Sequence, residues 1–287
     1  MRQFDFKALM PHLIAIAIFL LVAIIFCKPS LESGVVLKQQ DIASWQGMSH
    51  QSFEYKEKHG HFPLWATSMF SGMPAYQIAM EGYWTPFNLF DRMIQLWLPQ
   101  PINFFFLACI CFYFLCLCLR IRPYVAILGS LAFAYCSYSP IIIAAGHNTK
   151  MLTLAYSPAV IGAALLIFDK KYLLGFTLLS LFASLQIAQS HQQVTYYLFM
   201  VMAIMTLSYL FFQIREKAYV HALKSIGLLI AAGIISIATN AITIFPALDY
   251  SKDSKRGGQL VMDQSSRKHE NIINGKTTGL SKDYAFQ

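Results

Sequence analysis

The chain has 287 residues, 56% of them hydrophobic and only 13% charged, with a formal net charge of +8. Soluble domains carry roughly 25% charged residues, so this composition excludes a water-covered globule. Long apolar runs place the chain among polytopic, all-α membrane proteins. Nucleic-acid binding is excluded as well: most of the basic residues lie between apolar runs or in the polar tail, with no basic stripe interleaved with aromatics.

The first apolar run, Leu13 to Cys27, follows Arg2 and Lys7. No A-x-A-like cleavage site follows, and Ile24-Ile25-Phe26 is too bulky for a lipoprotein site, so the run reads as an uncleaved helix. A long loop then covers residues 28–100 and holds Trp45, Trp65, Trp84 and Trp97, all four tryptophans of the chain. The aromatic stretch Met80 to Leu98 suits the headgroup level, and the loop is expected to be a small structured cap with one or two interfacial helices.

Six further runs follow: Ile102 to Leu119, Pro123 to Ala145, Met151 to Phe168, Tyr172 to Ala188, Val194 to Ile214 and Ser225 to Leu248. Each approaches the ~20 residues that cross ~30 Å of hydrocarbon. The expectation is about seven transmembrane helices in a module spanning residues 1–248, followed by a polar, turn-rich tail, 249–287. That tail stops without a terminating structure, so the chain reads as the amino-terminal module of a longer protein.

A cytoplasmic amino terminus puts Arg2, Lys7, Arg120, Arg122, Lys170, Lys171, Arg215, Lys217 and Lys224 inside, leaving only Lys150 basic among the short outer connections. The large loop, the stretches Gly146 to Lys150 and Ser190 to Gln193, and the tail then share the extracytoplasmic face. The inner halves of the helices are almost wholly apolar, which speaks against a polar path through the membrane. The six cysteines lie in or beside apolar runs as small core or lipid-facing residues, and their spacing supports neither a disulfide framework nor a zinc site.

Candidate chemistry gathers on the outer face. Asp41 could serve as a general base toward a hydroxyl or as the N-cap of a short helix, Ile42 to Met48. His147, Asn148 and Lys150, in a turn at Gly146, could hold a phosphate or form a polar turn with a snorkelling lysine. Gln186, Gln189, Ser190, His191, Gln192 and Gln193 form a dense polar patch that either lines a cavity or joins helices. Asn240 and Pro246 mark the last run, and Arg256 lies in a basic stretch of the tail. No P-loop, zincin, nucleophile-elbow or EF-hand pattern occurs.

Several stretches together resemble the YfhO-type family of bacterial membrane proteins: Gln40-Asp41 with Gln46-Gly47-Met48, Phe62-Pro63-Leu64-Trp65, Met69-Phe70-Ser71-Gly72-Met73-Pro74, Ala145 to Met151, and Arg256-Gly257-Gly258. That family is placed among the C-type (GT-C) glycosyltransferases, which have a front module of seven helices and a large first outer loop bearing an acidic residue. The resemblance implies an inner-membrane enzyme that moves a sugar from a polyprenyl-phosphate donor to a cell-envelope acceptor hydroxyl, with inversion. Asp41 would be the catalytic base, and His147, Asn148, Lys150, His191, Gln192 and Arg256 would contact substrate or phosphate. Many superfamily members carry paired acids in this loop, whereas Asp41 stands alone, with Glu54 and Glu57 downstream; dependence on a divalent metal is left open. The rival reading is a transporter or flippase for a lipid-linked precursor.

Overall fold

The computed structural model describes residues 6–32, 37–79 and 86–253. Its described part is dominated by eleven α-helices, with one small antiparallel hairpin in the first loop. The helices are α1 (Phe6–Phe26), α2 (Gln40–His59), α3 (Pro86–Ile94), α4 (Ile102–Cys118), α5 (Pro123–Ala134), α6 (Tyr138–Ala145), α7 (Asn148–Phe168), α8 (Tyr172–Ala188), α9 (Gln192–Arg215), α10 (Tyr219–Thr239) and α11 (Ala241–Asp253). The strands are β1 (Trp65–Ala66) and β2 (Met73–Pro74).

Four helices are long and apolar enough to cross a membrane: α1, α7, α9 and α10. A fifth candidate is the pair α5 and α6, bent by 40°. The chain is therefore an all-α membrane protein by length and composition. Helices α4 and α8 are apolar but only 17 residues long.

Two apolar runs are divided where sequence periodicity suggests continuity. The run from Pro123 to Ala145 breaks at Tyr135-Cys136-Ser137 between α5 and α6. There the Tyr135 ring stacks on Phe105 at 4.8 Å, and Phe26 packs edge-on against both. Three segments far apart in sequence thus meet at the break, and this aromatic packing accompanies the kink. The run from Ser225 to Leu248 is likewise two helices: α10 starts six residues earlier, at Tyr219, and gives way to α11 at Asn240.

Residues 1–240 form one compact unit and residues 241–287 another. In the first, α4 and α7 are central. Nearly every α4 side chain from Ile102 to Cys111 is buried, and so is most of α7 from Met151 to Phe168. Gly162 lets α7 lie against Phe114 and Leu115 of α4. Helix α1 packs on α4 and α5, while α8 and α10 close the other side of α7. Of the second unit, the described part is α11, where Lys252 Nζ lies 3.0 Å from Asp249 Oδ1.

The turns sort to two ends. Arg120, after α4, donates to Asp169, after α7, at 2.9 Å, and His221 of α10 bonds both Tyr172 Oη and the Phe168 carbonyl. The turns carrying Arg120, Asp169 and Lys170 thus share one end, and the α6–α7 turn lies at the other end of α7.

All six cysteines are free thiols, and Cys27, Cys109, Cys111 and Cys116 are buried. The first loop holds a 20-residue helix, α2, longer than the sequence suggests. It has Asp41 in its first turn, Lys56, Lys58 and His59 in its last, and Gly60 (φ +78°) closing it with an N–H to the Lys56 carbonyl. Charges of that order match the helix dipole, and a left-handed glycine satisfies the final carbonyls. Of the aromatic stretch at residues 80–98, α3 is described, whereas residues 80–85 and Trp84 lie outside the described residues.

Candidate functional site

The site is built where α2 begins and α6 hands over to α7. Gly146 ends α6 in the left-handed region (φ +102°), with its N–H bonded to Ile143 and Ile142 carbonyls. A Cβ there would stand 3.1 Å from the Ile42 nitrogen and 3.2 Å from the Asp41 Cβ. Glycine is therefore required twice, by backbone conformation and by the approach of α2. The chain then turns so that His147 becomes the N-cap residue of α7.

That approach sets Asp41 Oδ2 3.2 Å from His147 Nε2, with both side chains half-exposed. Asp41 does not cap a short helix: the N-cap position belongs to Gln39, and no side chain caps α2. Instead Asp41 sits within the first turn, where a carboxylate still favours the helix dipole, and its head faces the imidazole. Gln39 reaches across, donating from Nε2 to the Ile143 carbonyl at 2.6 Å and to Asn148 Oδ1 at 2.9 Å. The start of α2 is thereby fastened to both α6 and α7.

Lys150, one turn into α7, rests over the Tyr138 ring at 5.2 Å. His191, the N-cap residue of α9, has its pKa lowered, chiefly by burial and further by the charges of Lys150 and His147. Burial and the neighbouring charges thus disfavour the imidazolium form there. Its Nδ1 is buried without a hydrogen-bond partner among the described residues. Asp41, His147, Asn148, Lys150 and His191 thus belong to one end of the first unit. Gln192 is exposed on the first turn of α9, and Arg256 lies outside the described residues.

The glutamine patch divides. Gln186 is buried, accepts from Thr195 of α9 at 3.3 Å, and leaves Nε2 unpartnered among the described residues. Gln189 donates back to its own helix at Leu185, and Gln193 donates to Tyr197. Asn240 donates to the Ser184 carbonyl at 3.0 Å, beside Thr239 on Ser184 Oγ, so this polar group joins α10 to α8.

Two features escape the sequence reading. Asp91 of α3 accepts a 2.6 Å bond from Tyr156, a fully buried residue two turns into α7. Gln95 also bonds this carboxylate and accepts from Asn103 at 2.6 Å. Burial pushes the Asp91 pKa up, while the bonds from Tyr156 and Gln95 and the Arg92 charge oppose that rise. The available signal was one acid, next to Arg92, in an amphipathic segment of mostly apolar residues. In addition, His12 pairs with Tyr113 at 2.9 Å and His221 with Tyr172 at 2.7 Å. Both histidines stand just ahead of the apolar runs from Leu13 and Ser225, at the end where the sequence suggests helix halves that are almost wholly apolar, and the structure includes them in α1 and α10.

No group of three or more His, Cys, Asp or Glu side chains suited to a metal ion occurs among the described residues. Compared with protein families, curated proteins and solved structures, the chain matches none.

Proposed function

We propose that this chain is the front module of a C-type membrane glycosyltransferase, transferring a sugar from a polyprenyl-phosphate donor to an acceptor hydroxyl at the membrane surface. Counting the bent pair as one span and admitting α4 and α8 would bring the membrane crossings to seven, the number this class requires. One observation carries the reading: a carboxylate and an imidazole 3.2 Å apart, at the same end of the first unit as Lys150 and His191, whose pKa burial lowers.

In this reading Asp41 removes the acceptor hydroxyl proton as its oxygen attacks the anomeric carbon. The bond from that carbon to the lipid phosphate oxygen breaks, and the phosphate leaves with the electron pair, inverting the centre. Lys150 and His147 offset the developing negative charge, and His191 donates a hydrogen bond. Gln39 holds the start of α2 so that the acid and the α7 turn keep their spacing. The membrane confines the donor lipid near the site, lowering the entropic cost of approach. The lone acid gives a divalent metal little purchase, so charge stabilisation rests on the basic side chains.

The test is sugar transfer from a polyprenyl-phosphate donor in membranes, comparing wild type with Asp41→Asn and His147→Gln. Loss of transfer with Asp41→Asn, in protein that still inserts, supports Asp41 as the base. Full transfer by Asp41→Asn refutes it, and loss confined to His147→Gln moves the base to the imidazole. The transporter reading draws support from the His12–Tyr113 and His221–Tyr172 pairs, which put polar groups in the opposite helix halves. Both imidazole nitrogens of His221 are bonded within the protein, however, which favours stapling helices over lining a path.

A further inference from the structure

The β1–β2 hairpin holds apolar side chains outward that the fold does not bury. Leu64 is 92% exposed, Phe70 82% and Trp65 55%. They are held there, not left loose. Phe70 (φ +48°), Ser71 (φ +62°) and Gly72 (φ +116°) are three successive left-handed residues, a conformation that phenylalanine rarely adopts. A Cβ on Gly72 would collide with the Trp65 indole, so the ring lies across the turn and braces it.

The hairpin's connecting loop is fastened to α2, with Thr67 donating to Gln51 at 3.1 Å and Ser68 to the Met48 carbonyl at 3.4 Å, while the Ala75 N–H bonds the Leu64 carbonyl at 2.9 Å and closes its open end. Beside it, the end of α2 supplies Lys56, 4.7 Å from the Phe62 ring, and the exposed Lys58 and His59, with His61 following and the acids Glu54 and Glu57 on the same turns. The segment is tied at both ends to apolar helices, α1 before it and α4 after it. Exposed leucine, tryptophan and phenylalanine side chains on a braced hairpin, with lysines beside them and apolar helices at both ends of the segment, have the pattern of an interfacial anchor.

We propose that residues 64–74 form a membrane-dipping wedge: Leu64, Trp65 and Phe70 enter the headgroup–acyl boundary of an anionic bilayer, and Lys56, Lys58, His59 and His61 meet the lipid phosphates. The role is separate from the transfer reading and holds whether or not Asp41 is a base. Lipid is the occupant because basic side chains border the apolar tip and the membrane is already held close by α1 and α4.

The experiment is tryptophan quenching by brominated lipids, using the full chain in nanodiscs. Phe70→Trp adds a reporter at a site exposed enough to leave packing unchanged, and Trp65→Phe removes a native one. The expected result is that brominated lipid quenches the added Phe70→Trp emission about twofold or more, and that Trp65→Phe loses quenchable emission. Quenching deepens when phosphatidylglycerol replaces part of the phosphatidylcholine. Unquenched emission from both reporters overturns the proposal, whether red-shifted as in water or blue-shifted as under a second protein copy. Equal quenching with and without phosphatidylglycerol overturns the assignment of the basic rim.

Discussion

Two aspartates in the same chain are treated in opposite ways. Asp41 is half-exposed, sits in the first turn of α2 and faces an imidazole 3.2 Å away. Asp91 is held by Tyr156 and Gln95 against the middle of α7, and burial raises its pKa. The first is open on one side, beside basic groups; the second spends its lone pairs on neutral donors inside the protein. Environment, not residue type, separates a carboxylate available for chemistry from one that fastens helices.

The largest expected effect falls on the exposed acid. Asp41→Asn should lower sugar transfer by roughly 10²–10⁴-fold, the range for loss of a general base, while thermal unfolding in detergent stays close to wild type. Asp91→Asn should leave turnover within about tenfold, since it keeps the side chain's shape and an acceptor for Tyr156. If Asp91→Asn abolished transfer and Asp41→Asn did not, the two roles would be exchanged.

Next comes Tyr156→Phe, which deletes one donor from a buried carboxylate and should cost about 1–3 kcal/mol of stability. It is read as a lower unfolding midpoint, with faster proteolysis of α3. Gly146→Ala follows. The substitution adds a Cβ where φ is +102° and the Ile42 nitrogen stands 3.1 Å away, so about 1–3 kcal/mol of strain is expected. Activity should fall with it, because α2 must retreat from His147. Unchanged activity would mean that the Asp41–His147 spacing does not matter.

A pH experiment sharpens the electrostatic half of the comparison. The Lys150 charge is one cause that lowers the His191 pKa, so Lys150→Met should raise it. Imidazole titration by NMR should show protonation beginning at a higher pH than in wild type; no movement would separate His191 from the basic group. The smallest effect is reserved for Arg120→Ala. Its bond to Asp169 is 2.9 Å long but largely solvent-exposed, so its loss should change stability by about 0–1 kcal/mol.

Much of this was legible in the sequence because membrane physics writes it there. Apolar runs marked α4, α7, α8 and α9 to within about three residues, and the end but not the start of α1, which begins at Phe6 ahead of the run from Leu13. Gly146 signalled the turn that brings His147 round. The length of α2 was hidden because its sequence is polar and only weakly periodic, so Asp41 could be read as a cap. The break at Tyr135-Cys136-Ser137 had a local sign, Pro140, which cannot donate to the carbonyl four residues before it, whereas the packing of Phe26 and Phe105 on Tyr135 that accompanies it involves residues on other helices.

The sequence by itself determined the class of protein, its helix-forming runs and which residue types stand at the turns, since these follow from local hydrophobicity and backbone preference. Tertiary structure alone decided that Asp41 meets His147 across 106 residues, that Gln39 locks α2 to α6 and α7, and that Asp91 goes to Tyr156. Such pairings depend on how helices pack in three dimensions, and a carboxylate carries no local mark of the partner it will find.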